Sequence, residues 1–212
     1  MTKFEKEVMK MKKIKLILAS NSKWRKEIIN MAGLVCEQIP SSGDPDIPFF
    51  YPDEYVENLS LAKAMDVAKK LEEGIVIGAD TIGYLDGEIF EKPKNREEAF
   101  RNFKALSGKV NYAVTGTTII DLYQNKTITF SEKVKVYFNE LTDDEINWYI
   151  DHEKNIYDCA GYSLETCASL FVNKTEGDYK AIIGLPICRI FEELKKLGYS
   201  IRDFETLKER NS

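Results

Sequence analysis

Two long β runs, residues 109–122 and 127–138, are separated by little more than Tyr123-Gln124-Asn125-Lys126. A gap this short cannot hold the crossover that a parallel pair requires, so the runs must fold as an antiparallel hairpin. Asn125 tolerates the backbone of its turn. Upstream, strands and helices alternate. Residues 14–19 (IKLILA) read as a buried strand, and 23–32 as a helix with Ile28, Ile29 and Met31 facing inward. Residues 35–39 form a short strand. A long helix follows, capped by Asp53, with Tyr55, Val56, Leu59, Ala62, Met65, Val67, Ala68 and Leu71 on its apolar face. GIVIGAD is then a core strand, and TIGYLDGEIF a hairpin around Asp86-Gly87. The alternation asks for parallel pairing and the hairpins for antiparallel pairing. The expected fold is therefore α/β, a mixed twisted sheet with a long hairpin and two lobes around a central cleft.

The remaining segments fit that frame. KNREEAFRNFKALSG is an amphipathic helix stopped by Gly108, and LTDDEINWYIDHE a helix with Thr142 as cap and Glu145 at the capping-box position. Residues 168–172 and 179–184 read as short strands, and Pro186 opens a last helix ending near Gly198. Residues 1–12 are an N-terminal extension, 13–200 a single domain, and 201–212 a polar C-terminal tail.

Composition mainly excludes. A formal net charge of −5 offers no basic footprint for a nucleic acid polymer. No apolar run approaches the about 18 residues of a membrane span, and MTKFEKEVMKMKK has no apolar core of a secretory signal. Cys36, Cys159, Cys167 and Cys188 are scattered, with no Cys-x-x-Cys pair, which reads as free thiols in a reducing cytoplasm. The single histidine, His152, excludes a two-histidine zinc site and sits at a polar helix end, unsuited to a Ser-His-Asp triad.

Chemistry concentrates in four places. In LILASNSKWRKEII a strand hands over to a helix through two serines and two cations. Unpaired N–H groups and partial positive charge at a helix start favour an anion. Ser20 and Ser22 can donate hydrogen bonds and Arg25 can grip two oxygens at once, with Lys26 beside it; the alternative is a plain Ser22 cap with solvated cations. It is not a Walker loop. Asp80, at the carboxyl end of its strand, is placed to hold Mg²⁺ or Mn²⁺, to orient a water, or simply to turn the chain. Lys63 lies beside an apolar helical stripe and needs an anionic partner or a route to solvent. Lys92 can reach back over the hairpin, or stand as surface charge. Glu165 lies among apolar residues, as a helix-start acid or facing a ligand.

In combination, LASNSKWRK, YVENLSLAKA, IGADT with LDGEIFEKP, LSGKVNYAVTG, and CAGYSLE through GDYKAIIGLP resemble the Maf family of nucleoside triphosphate pyrophosphatases, from about Lys13 to Gly198. The resemblance implies hydrolysis of a nucleoside triphosphate between its α and β phosphates, a divalent cation, and a homodimer. It also implies residue roles. Ser20, Ser22, Arg25 and Lys26 match the phosphate-binding start, Lys63 and Lys92 the two lysines, and Asp80 the central aspartate and metal ligand. The family's loop glutamate is missing from SSGDPDI, so Asp44 or Asp46 would stand in as metal ligand. Asn111 replaces a frequent histidine.

Base preference follows the same resemblance. Trp24 and Glu165 resemble the branch acting on 7-methyl-GTP, where a carboxylate would accept guanine's N1–H and N2 amine and an aromatic face would favour a cationic base. The branch acting on dTTP and UTP is the alternative. A nucleotide-binding regulator of cell division with little turnover is the alternative of another class.

Overall fold

A computed structural model describes residues 13–43, 45–157 and 162–210. Its centre is one seven-stranded mixed sheet. β1 (Leu16–Leu18) pairs in parallel with β2 (Glu37–Gln38) on one side and β3 (Ile75–Leu85) on the other. The sheet continues antiparallel through β5 (Val110–Asp121), β6 (Lys126–Phe138) and β7 (Val172–Glu176), while β4 (Glu88–Phe90) folds back on β3. The long hairpin forms as expected, with Val110 opposite Tyr137 and Asp121 opposite Lys126. Asn125 takes φ 53° in its turn, and Asp86 and Gly87 take 52° and 94° in the turn between β3 and β4.

Helices cover the sheet: α1 (Lys23–Met31), α2 (Pro52–Ala68), α3 (Arg96–Leu106), α4 (Asp143–His152), the single turn α5 (Tyr179–Ile183), α6 (Ile187–Lys196) and the short α7 (Leu207–Arg210). The Thr142–Glu145 capping box forms at α4, and Asn95 caps α3. No helix among the described residues is long and apolar enough to cross a membrane.

The apolar interior has two main bodies. One surrounds Phe103, Phe138, Tyr149 and Tyr162; the other surrounds Leu18, Ile29, Ile77, Ile119, Leu185 and Phe204. Each large apolar side chain so enclosed contributes roughly 1.5–3 kcal/mol by leaving water. The polar C-terminal segment joins the second body: Phe204 is fully buried and bridges Ile14, while Lys13 pairs with Glu209.

Several expectations are corrected. Met31 and Met65 face solvent, 67% and 40% exposed, because Ile28 and Ile29 fill the α1 contact and Ser60 and Ala64 turn inward on α2. Tyr51, not Asp53, precedes α2, with Pro52 opening it and Asp53 in its first turn. Residues 179–184 are helical: Asp178 caps the turn and Gly184, at φ 111°, ends it. The segment expected as a strand over 168–172 is a tight turn at Cys167–Leu170, and β7 begins at Val172. Finally, Asp80 does not end a strand. β3 runs unbroken through it, and Asp80 pairs with Gly116 on β5.

Asp80 nevertheless sits where the sheet opens. β1 pairs with β3 only up to Ile77, and β4 starts pairing at Gly83. Among the described residues no strand pairs with 78–82 on that side. The parallel part of the sheet ends there, which is where α/β folds gather ligands.

Candidate active site

The β1–α1 loop shapes one wall of a hollow. Ser20 Oγ accepts the backbone N–H of Ser22 at 3.1 Å, and Ser22 Oγ accepts that of Arg25 at 3.3 Å, so Ser22 is the α1 cap. Gln38 on β2 donates to the carbonyls of Ser20 and Ser22 at 3.1 and 3.2 Å, holding the loop from below. Neither serine hydroxyl donates to a partner among the described residues, so both protons can serve a ligand.

Arg25 ties this loop to two other elements. It donates to Gly184 O at 2.9 Å, to Ser20 Oγ at 3.2 Å and to Thr81 Oγ1 at 3.3 Å. Gly184 is required for that approach: a Cβ there would lie 3.1 Å from Arg25 Nε and from Thr81 Oγ1, on a backbone at φ 111°. Thr81 is steadied by Thr115, whose hydroxyl lies 2.8 Å away and donates to Ala181 O.

Lys63 owes its place to two missing side chains. A Cβ on Gly78 would lie 2.4 Å from Ser60 O, and one on Gly116 only 2.1 Å from Val56 O. The α2 backbone therefore lies against β3 and β5, and one turn along it Lys63 Nζ reaches Asp80 Oδ1 at 2.5 Å. Ser60, buried in this contact, donates to Glu57 O and meets Thr118 Oγ1, each at 2.8 Å.

The result is a cavity of about 520 Å³ lined by Ser20, Ser22, Trp24, Arg25, Lys63 and Lys92, with Pro40, Ser41 and Gly43 from the proline-rich loop. A smaller one of about 180 Å³ holds Asp80, Thr81, Tyr55 and Glu91, and Lys92 lines both. The residues singled out in distant segments of sequence thus converge on adjoining hollows. Among the described residues no acidic side chain lines the larger cavity, which concentrates positive potential inside an acidic protein.

Other expected residues fall elsewhere. Lys26 does not line either cavity; it lies near Cys36, whose thiol is pushed up by burial and drawn back by that ammonium. Asp46 is exposed and outside both, and Asp44 lies outside the described residues. Glu165 also lies outside them. Its Oε2 accepts from Ser163 at 3.2 Å, its Oε1 has no partner among the described residues, and burial pushes its carboxyl up. Asn111 is structural: it donates to Val136 O and accepts from the buried Tyr162 hydroxyl at 2.8 Å.

The donor chemistry around Asp80 bears on a metal. No group of three acidic, histidine or cysteine side chains gathers among the described residues. Mg²⁺ needs no such cage, since one or two carboxylates with substrate phosphates and waters suffice. Asp80 and Glu91 on one cavity wall are a donor set of that kind.

Sequence reasoning missed Gln38, Thr81, Glu91 and Asn155. Asn155 lines the larger cavity from the turn after α4 and accepts from Lys23 Nζ at 3.2 Å. No local motif announces it.

The chain is similar to known proteins over most of its length. A dTTP/UTP pyrophosphatase of Thermoanaerobacter sp. (strain X514) is 43% identical over 185 residues, 86% of this chain and 96% of that protein. A dTTP/UTP pyrophosphatase of Carboxydothermus hydrogenoformans (strain ATCC BAA-161 / DSM 6008 / Z-2901) is 37% identical over 186 residues, 88% of this chain and 100% of that one. Among solved structures, the Staphylococcus aureus Ham1 protein aligns with TM-score 0.46 and 16% identity over 59% of this chain and 72% of that chain. The family model described as Maf-like protein matches residues 15–197, and the chain belongs to the Maf family.

Proposed function

We propose that this protein is a nucleoside triphosphate pyrophosphatase that cleaves dTTP and UTP between the α and β phosphates, releasing the monophosphate and pyrophosphate. The observation that carries the reading is the convergence of Ser20, Ser22, Arg25, Lys63 and Lys92 on one cavity, with Asp80 2.5 Å from Lys63. A triphosphate is the ligand such a set of cations and hydroxyls suits.

The chemistry follows from charge. Arg25, Lys63 and Lys92 offset the negative charge that grows on the leaving pyrophosphate as the anhydride bond breaks. Water attacks the α phosphorus, the bond to the bridging oxygen breaks, and the water's proton must be taken up. Asp80 is the carboxylate at hand for that proton or for a divalent ion, with Glu91 as the second acid. A bound Mg²⁺ or Mn²⁺ would supply charge neutralisation and a more acidic water.

Base choice shifts away from the sequence expectation. The relatives named above are dTTP/UTP pyrophosphatases, whereas Trp24 and Glu165 pointed to 7-methyl-GTP. Local electrostatics supports the change. Lys23 Nζ sits 5.0 Å from the centroid of the Trp24 ring, so the face expected to attract a cationic base already carries a cation. A neutral pyrimidine meets no such repulsion. Glu165 lies outside the cavity.

The test is pyrophosphate release with Mg²⁺ or Mn²⁺ from dTTP, UTP, CTP, GTP and 7-methyl-GTP. Preference for dTTP and UTP is expected; a preference for 7-methyl-GTP would restore the other base, and tight binding without release would favour a regulator. The homodimer belongs to the same proposal and is read by light scattering.

A further inference from the structure

We propose that Asn155, locked in one orientation by Lys23, reads a ring carbonyl of the bound base and rejects an amino group at the same position. The inference rests on the pyrophosphatase reading and names the residue that would give it base selectivity.

Three observations meet here. Asn155 lines the same cavity as the phosphate-directed cations, but from a distant stretch of the chain: it follows α4, whereas Lys23 and Trp24 open α1. Its backbone is fixed, since its N–H donates to Glu153 Oε1 at 3.1 Å and Glu153 is 4% exposed and also accepts from Thr166. Its side chain is fixed by Lys23 Nζ, 3.2 Å from Oδ1.

The third observation decides the chemistry. A carboxamide carries an acceptor on one arm and two donors on the other, and free rotation would let it satisfy either a keto or an amino edge. An ammonium is donor only, so only Oδ1 can face Lys23. The amide nitrogen is thereby turned away from Lys23, and it has no partner among the described residues. Uracil and thymine carry a carbonyl at C4, an acceptor matched to that nitrogen. Cytosine carries an amino group there, and donor would face donor. Asn155 is half-buried, and a mismatched edge there would leave two donors facing each other, each without its acceptor once the base covers them. Trp24, under the same lysine, would form the apolar wall beside the ring.

The experiment compares the wild-type protein with Asn155→Ala, Asn155→Asp and Lys23→Met, measuring kcat/KM for UTP, dTTP and CTP. Asn155→Ala is expected to lower UTP and dTTP about tenfold, one hydrogen bond's worth, and to leave CTP within about twofold, so the UTP-to-CTP ratio collapses. Asn155→Asp presents acceptors only and should move the ratio toward CTP. Lys23→Met frees the carboxamide to turn and should raise CTP relative to UTP without altering Asn155. An unchanged ratio in Asn155→Ala, or a parallel fall on all three nucleotides, overturns the proposal. Calorimetric affinities for α,β-methylene UTP and α,β-methylene CTP read the same ratio without turnover. A protein that discriminates these analogues through Asn155 yet releases no pyrophosphate would refute the hydrolytic reading and leave this one standing. The converse result would do the opposite.

Discussion

Lys63 and Asp80 form an ion pair of 2.5 Å between the inner face of α2 and the middle of β3, with side chains only 11% and 16% exposed. So desolvated a pair is held by mutual need: removing one partner leaves the other charged and poorly solvated. Lys63→Met should therefore lower stability by about 2 kcal/mol, somewhat less than a fully buried pair would lose. Asp80→Asn should reduce pyrophosphate release by a factor of roughly 100 or more. Denaturant unfolding and steady-state kinetics check both, and the double variant should fall short of the sum of the two stability losses.

Chelation gives a second prediction. Asp80 and Glu91 share a cavity wall, and neither residue alone can bridge two phosphates without an ion. EDTA should abolish turnover of dTTP, with Mg²⁺ or Mn²⁺ restoring it. Glu91→Gln should raise the metal concentration needed for half-maximal rate several-fold while leaving the melting temperature unchanged.

Gly184 is the third case. An alanine there meets Arg25 Nε at 3.1 Å on a backbone at φ 111°. Gly184→Ala should cost about 1–2 kcal/mol of stability and raise KM, since Arg25 must withdraw from its bond to the Gly184 carbonyl. A KM that stays at the wild-type value would detach Arg25 from substrate binding.

The proline-rich loop supplies a fourth. Ser42 donates its N–H and hydroxyl to Asp66 Oδ2 at 2.8 and 2.7 Å, anchoring to α2 the stretch whose neighbours Ser41 and Gly43 line the cavity. Those bonds, with Lys70, hold the Asp66 carboxyl down to about 2. A lowered carboxylate pKa means the anchor is intact above the ordinary carboxylate value and is lost only as pH falls through about 2. Asp66→Ala should raise KM roughly fivefold with kcat almost unchanged, equally at pH 6 and pH 8.

Glu165 carries the opposite sign. Burial pushes its carboxyl up, so the folded protein keeps a proton that the unfolded chain has released. Stability is then greatest below the ordinary glutamate value and declines as pH rises through the raised one. Melting temperature followed from pH 4 to pH 8 should fall more steeply for the wild type than for Glu165→Gln.

Much of the architecture was legible because some signals are local. The hairpin of β5 and β6 follows from two long runs with a tight gap, and the α4 cap from Thr142 and Glu145 alone. The α5 turn was misread because Ala181-Ile182-Ile183 favours a strand, while Asp178 and Gly184 close one helical turn around it. Asp80 was misplaced because no local signal tells a strand that loses one neighbour from a strand that ends. The serines and cations that line the larger cavity stood out through residue type and order. Gln38, Thr81 and Asn155 did not, since each gains its role from a partner outside its own segment, as Asn155 does from Lys23, 132 positions away.

The hairpin threads both apolar bodies, with Ala113 and Val136 in one and Ile119 and Phe130 in the other. A continuous backbone ladder through both halves acts as a girder, and a girder does not hinge. Traffic of nucleotide in and product out then falls to the rim, at the segment that carries Ser41 and Gly43. Hydrogen exchange should be fast along that rim and slow along the beam.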